Sequence, residues 1–167
     1  MRILIAIGVA AGLALSLPAG ASESTLARIK QSGTIKLGYR ENSIPFSFVA
    51  DDKQPRGYSV DLCRIVADDL ATQLKLPKLD VRWVAVTAQS RFEALKNGQI
   101  DLECGNTTVT LGRQERVDFS SMTFVDGGAV LVLAESKLGR LADLAGKTVG
   151  VKPGTTTETS LKAALKE

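Results

Sequence analysis

The chain has 167 residues, 21 Lys and Arg against 18 Asp and Glu, a formal net charge of +3 and no histidine. A weak positive balance without Lys/Arg runs, and with 5% aromatic residues, gives no compositional support for nucleic-acid binding. The lack of histidine weakens the case for a metal site or for histidine acid–base chemistry, so neither metal nor cofactor is expected.

The N-terminus reads as an export signal. Met1-Arg2 supplies positive charge, residues 3–17 are apolar apart from small side chains, and Pro18-Ala19-Gly20-Ala21 offers the small-x-small pattern that signal peptidase cuts. Residues 1–21 are therefore expected to leave as a signal peptide cut after Ala21. The apolar run is shorter than the roughly 20 residues a spanning helix needs, and no later segment is long enough to cross a bilayer. Two cysteines, Cys63 and Cys104, in an exported chain favour a disulfide, with two buried thiols as the alternative.

In chain order, residues 24–31 predict a short amphipathic helix with Leu26 and Ile29 at helical spacing, stopped by Ser32-Gly33. Residues 34–39 alternate and predict a strand, followed by a loop over 40–45. Short extended pieces at 46–49 and 57–58 flank a polar turn. Ser59 or Asp61 is placed to cap a helix running to about residue 74, with Leu62, Ile65, Val66, Leu70 and Leu74 as its apolar stripe. A strand over 79–86 contains Trp83, and a short helix from Ser90 turns Phe92 and Leu95 inward. Gly98 suits the left-handed position past that helix. Residues 100–104 predict a third strand.

This alternation of strands and helices predicts a largely parallel sheet with right-handed crossovers, whose ligands sit outside the carboxyl ends of the strands. Three loops answer that description: 40–45, 87–91 and 105–113. Each carries one arginine, namely Arg40, Arg91 and Arg113. In the third, Asn106, Thr107, Thr108 and Thr110 add a carboxamide and three hydroxyls, which together with Arg113 suggest a cradle for a small anion. Arginine suits carboxylates because its planar fork donates two parallel charge-assisted hydrogen bonds. Three such cations facing one pocket repel one another unless an anion of more than one charge lies among them, and a dicarboxylate meets that need. An enzymatic alternative rests on Asp101 and Glu103, two apart on a strand. Asp101 lies at the strand's entrance and is expected to meet backbone instead, and Ser120-Ser121 lacks a base, so catalysis is not expected.

Beyond the third loop, residues 117–121 and 124–125 lead to Gly127-Gly128 and an apolar run over 129–134, which suggests a connection between two lobes. A short helix over 141–145 ends at Gly146, a strand is expected over 148–151, and Pro153-Gly154-Thr155-Thr156-Thr157 feeds a final helix. The start of that helix reads either as an anion site or as an ordinary threonine N-cap. One strand–helix unit cannot bury both of its faces, so a second lobe is expected to be incomplete here.

The segments Gly38-Tyr39-Arg40-Glu41-Asn42-Ser43-Ile44-Pro45-Phe46-Ser47, Gly57-Tyr58-Ser59-Val60-Asp61-Leu62, Glu103-Cys104-Gly105-Asn106-Thr107-Thr108, Arg113 with Phe119-Ser120, and Asp143-Leu144-Ala145-Gly146-Lys147 resemble periplasmic solute-binding proteins of family 3, in particular the glutamate/aspartate branch. The resemblance implies an α/β fold of the two-lobed, type II periplasmic-binding-protein kind, with lobe 1 over 22–127 lacking only its C-terminal return. Residues 128–167 would be the hinge strand and the start of a truncated lobe 2. It further implies a periplasmic monomer that closes on one glutamate or aspartate and delivers it to an inner-membrane ABC permease. Arg113 would clamp the α-carboxylate with Thr108, Thr155 and Thr156, Arg40 and Arg91 would hold the side-chain carboxylate, and Ser43, Asn106 and Thr107 would complete the ligand-binding set. Asn106 and Ala88 each stand where serine is common in the family. In the family, the rest of lobe 2 supplies the acidic group for the α-ammonium. A sensor module and a periplasmic dehydratase-like enzyme are the alternatives on the same fold.

Overall fold

A computed structural model describes residues 24–164. The signal peptide and its cleavage point after Ala21 lie outside the described residues. The core is a parallel three-stranded sheet in which β1 (Thr34–Tyr39) lies between β5 (Asp80–Ala85) and β6 (Leu102–Cys104). A small antiparallel sheet of β2 (Asn42–Ser43), β3 (Ser47–Val49) and β4 (Pro55–Arg56) is inserted after β1. Helix α1 (Thr25–Ser32) leads into β1, and α2 (Tyr58–Gln73) and α3 (Arg91–Lys96) carry the chain from β4 to β5 and from β5 to β6. A four-residue α4 (Leu111–Gln114) and a C-terminal α5 (Thr156–Ala164) complete the helices.

Register decides where the loops emerge. Tyr39 is level with Ala85 on one side and with Cys104 on the other, so the three parallel strands end in one row. Arg40, the Thr87 turn and Gly105 follow directly from that row. The parallel sheet, the crossover helices and the left-handed Gly98 at φ 62° agree with the expectation from periodicity.

Packing around the sheet explains two departures from the predicted pattern. Helix α2 begins at Tyr58 behind an N-cap at Gly57, not at Ser59 or Asp61. Gly57 has φ 120°, and a Cβ there would stand 2.6 Å from the Phe46 carbonyl oxygen, so glycine is required where the chain turns into the helix. The buried line of α2 is Val60, Cys63, Ala67 and Ala71, while Ile65 and Val66 face outward at 63% and 48% exposure. The small side chains let the helix lie close to the sheet, where Cys63, Ala67 and Ala71 join Ile29, Ile35, Leu37, Leu79 and Cys104 in one cluster. Large β-branched residues at those positions would hold the helix off.

The cysteines form that contact covalently: Cys63 and Cys104 are disulfide-bonded, with Cα atoms 6.1 Å apart. The bond ties the first half of α2 to the end of β6, the strand from which the loop over 105–113 departs.

No ladder forms over 148–151 among the described residues, where a strand is expected, and the apolar run over 129–134 that suggests a connection between lobes pairs with nothing either. A strand requires a neighbour for its N–H and C=O groups, and these stretches have none among the described residues. Val125, Leu131 and Leu133 stay exposed as a result. The helix expected over 141–145 is a 3-10 turn at Leu141–Leu144, ending before a left-handed Gly146.

Closing a loop with a sequence separation of 41 between Cys63 and Cys104 corresponds to about 4 kcal/mol in the chain-entropy picture. Reduction, or the double change Cys63→Ala and Cys104→Ala, is expected to shift the urea midpoint toward lower denaturant by a stability change of up to about 4 kcal/mol. An unchanged midpoint would show that the bridge does not constrain the unfolded chain.

Candidate binding site

The row of strand ends opens into a cavity of about 470 Å³. All nine residues singled out from the sequence line it: Arg40, Ser43, Arg91, Asn106, Thr107, Thr108, Arg113, Thr155 and Thr156. The sequence separates Arg40 from Arg91 by about fifty residues, and the parallel register brings them to one wall.

Arg40 is 3% exposed, and its backbone is fixed by Ser47, whose Oγ accepts from the Arg40 N–H at 2.9 Å. Arg91, also 3% exposed, opens α3 behind a closed turn. In that turn the Thr87 N–H donates to Ser90 Oγ and the Ser90 N–H donates to Thr87 Oγ1, each at 3.0 Å. Arg113, on α4, donates from Nη1 to the Thr108 carbonyl at 2.7 Å, which folds the 105–113 loop back on itself. Phe92 backs the cluster. Its ring lies 4.9 Å from the Arg91 guanidinium carbon, 5.7 Å from that of Arg113 and 5.2 Å from that of Arg116, within cation–π range of all three.

Burial penalises these cations. It lowers the Arg91 pKa to about 10, with Arg113 and Arg40 adding repulsion and Glu103 acting in the opposite sense. Arg113 is lowered by burial too, again opposed by Glu103. Both remain protonated at neutral pH. Glu103 lies behind the cavity wall. Burial raises its pKa, against the opposing pull of the Thr107 hydroxyl, Arg91, Arg40 and Arg113. Three solvent-sealed atoms there, Arg91 Nε, Glu103 Oε1 and Thr107 Oγ1, have no partner at hydrogen-bonding geometry. Gly105 is what makes room for this carboxylate, because a Cβ at that position would collide with Glu103 Oε1 and stand 3.1 Å from Arg40 Cγ.

Asp101 and Glu103, considered above as an acid–base pair, have separate duties. Asp101 accepts the Lys36 N–H at 2.9 Å and forms an ion pair with Arg28, so it holds α1 to the sheet. Its expected role at the strand's entrance is the one observed.

The opposite wall comes from the C-terminal segment. Thr155 Oγ1 accepts from the Glu158 N–H at 3.2 Å, and Glu158 Oε2 accepts from the Gly154 N–H at 2.8 Å, a reciprocal cap on α5. Thr155 is thus both a helix cap and a cavity residue. Thr156 Oγ1 lies 3.1 Å from Thr108 Oγ1, a hydroxyl contact between the two walls. Lys152 donates to Asn42 Oδ1 at 2.7 Å, and Gln89 Nε2 donates to the Pro153 carbonyl at 3.3 Å. An aromatic group closes one side: Phe46 is 5.0 Å from Phe124 and 6.1 Å from Tyr58 between ring centroids, and the Tyr58 hydroxyl donates to the Thr123 carbonyl at 2.7 Å.

Sequence patterning did not single out Lys152 or the Phe46–Phe124 face for the site, and it placed Ser59 only as a helix cap. For Lys152 a signal existed in its position on the loop feeding α5. The apolar face had none, since it is assembled from three distant segments. Among the described residues no group of three or more His, Cys, Asp or Glu side chains is placed to hold a metal ion.

The profile of the bacterial extracellular solute-binding proteins, family 3, matches residues 35–167. The L-glutamate/L-aspartate-binding protein of Pseudomonas aeruginosa is 43% identical over 152 residues, covering 89% of this chain and 50% of its own. The glutamate/aspartate import solute-binding protein of Escherichia coli K12 is 36% identical over 165 residues, covering 98% of this chain and 55% of its own. Among solved structures, the ancestral amino acid-binding protein AncCDT-1, a precursor of cyclohexadienyl dehydratase, superposes with a TM-score of 0.77 at 31% identity, covering 86% of this chain and 62% of that one. The chain spans about half the length of the curated relatives it matches. Its α/β fold is of the type II periplasmic-binding-protein kind. The chain belongs to the bacterial extracellular solute-binding proteins, family 3.

Proposed function

We propose that this chain is the ligand-gripping part of a periplasmic binding protein that captures glutamate or aspartate for an ABC importer. The observation that carries the proposal is the convergence of Arg40, Arg91 and Arg113 on one cavity, two of them 3% exposed, with hydroxyl groups between them. Buried guanidiniums are costly unless an anion compensates them, and an amino acid with two carboxylates fits three cations at two points. The names of the curated relatives, glutamate/aspartate-binding proteins, support the same choice.

In this reading Arg113 and Thr108 hold the α-carboxylate, with the Thr155-Thr156 helix start closing on it. Arg40 and Arg91, flanked by Ser43, Asn106 and Thr107, hold the side-chain carboxylate. Residues 22–127 act as one lobe, and residues 128–167 as the hinge strand and the start of a second, so that ligand capture is a closure of one wall on the other. The protein works as a periplasmic monomer, exported by residues 1–21, and hands its ligand to the inner-membrane permease. A dehydratase activity on this fold would need an acid and a base together in the cavity. The separate duties of Asp101 and Glu103 favour binding over catalysis.

Calorimetry on the full-length protein is expected to show micromolar binding of glutamate and aspartate, about −8 kcal/mol, with glutamine and arginine weaker. Tighter binding of glutamine or arginine would contradict the reading. Arg113→Ala is expected to abolish binding of every amino acid. Arg91→Ala should instead erode the preference for acidic side chains, and an equal loss for glutamate and glutamine would refute the division of labour between the arginines.

A further inference from the structure

The arginine cluster already contains an anion. Glu103 sits at the middle of β6, electrostatically coupled to Arg40 from the end of β1, Arg91 from the start of α3 and Arg113 from α4. It makes no salt bridge to any of them within 4 Å, and its Oε1 is sealed from solvent without a hydrogen-bond partner. Thr107, whose hydroxyl faces it, belongs to the cavity wall. Lys152, the cation contributed by the C-terminal segment, couples to Arg40 and Arg91. Glu103 therefore stands directly behind the surface on which an acidic side chain would settle, close enough to share its cations but not bonded to them.

We propose that Glu103 is a built-in competitor for the arginine cluster, an affinity-limiting residue that repels the ligand's side-chain carboxylate and so sets the ceiling on binding of acidic amino acids. This rests on the acidic-ligand reading above. The empty site keeps a counter-anion for its buried guanidiniums, and the bound site pays with a carboxylate–carboxylate repulsion. Gly105 is the residue that permits the arrangement, since any side chain there would displace Glu103.

A linkage follows. A ligand carboxylate arriving beside Glu103 favours its protonated form, so binding takes up a proton in the pH range where Glu103 ionises, which burial places above the ordinary carboxylate range. By reciprocity, affinity for glutamate rises as pH falls through that range, before the ligand's own carboxylates titrate.

The test is calorimetry of the full-length protein with glutamate and glutamine from neutral pH down toward the ordinary carboxylate range, in buffers of different ionisation enthalpy, for the wild type and Glu103→Gln. The amide keeps the shape and removes the charge. The expected result is a roughly tenfold gain in glutamate affinity for Glu103→Gln, a smaller gain for glutamine, and proton uptake by the wild type that the variant lacks. Equal or weaker glutamate binding by a folded Glu103→Gln protein overturns the proposal. If the variant does not fold, wild-type binding without proton uptake overturns it as well. A wild type that binds no acidic amino acid refutes the acidic-ligand reading instead, which separates the two failures.

Discussion

Two guanidiniums that are almost fully removed from water impose the main constraint on this molecule. Arg40 and Arg91 each retain 3% of their surface, and Arg113 is lowered in pKa by the same desolvation. Charges of one sign in a low-dielectric wall raise the free energy of the fold unless anions or dipoles offset them. Much of the local architecture serves that need: the Phe92 ring beneath Arg91 and Arg113, the Thr108 carbonyl on Arg113, and Glu103 behind Gly105. The remaining compensation is what the proposed anionic ligand would supply.

The parallel sheet makes the cluster obligatory rather than accidental. Because Tyr39 is in register with both Ala85 and Cys104, the chain must leave the sheet three times at one level. The disulfide between Cys63 and Cys104 holds the third exit against α2, so the loop carrying Asn106 to Arg113 starts from a fixed point. The facing wall is held more lightly, by the Thr108–Thr156, Lys152–Asn42 and Gln89–Pro153 contacts. A well-anchored wall opposite a lightly tethered one is an arrangement that the proposed closure would use.

Much of this was legible in the amino-acid order. Alternating strand and helix patterns predicted the parallel sheet, and the one-arginine-per-loop pattern predicted which side chains would meet, because both depend on local periodicity plus a topological rule. Ile65 and Val66 were assigned to the wrong face of α2, because hydrophobicity outvoted the small residues Cys63, Ala67 and Ala71 that permit close packing. The pattern over 148–151 predicts a strand, yet a strand exists only with a neighbour to pair with, which patterning within one segment cannot reveal. In the sequence Glu103 figures only as half of an acid–base pair that is set aside. Its place among three arginines emerges only when loops far apart in sequence are brought together.

In the proposed arrangement one anion-binding cavity is shared between the strand-end arginines and the Thr155-Thr156 helix start. A crystal structure of the full-length protein with bound glutamate tests it most directly. The account predicts the α-carboxylate against Arg113 and the side-chain carboxylate between Arg40 and Arg91, with Thr155 or Thr156 reaching the ligand from the other wall. Glutamate bound elsewhere, or within this cavity but touching neither Arg40 nor Arg91, would contradict it.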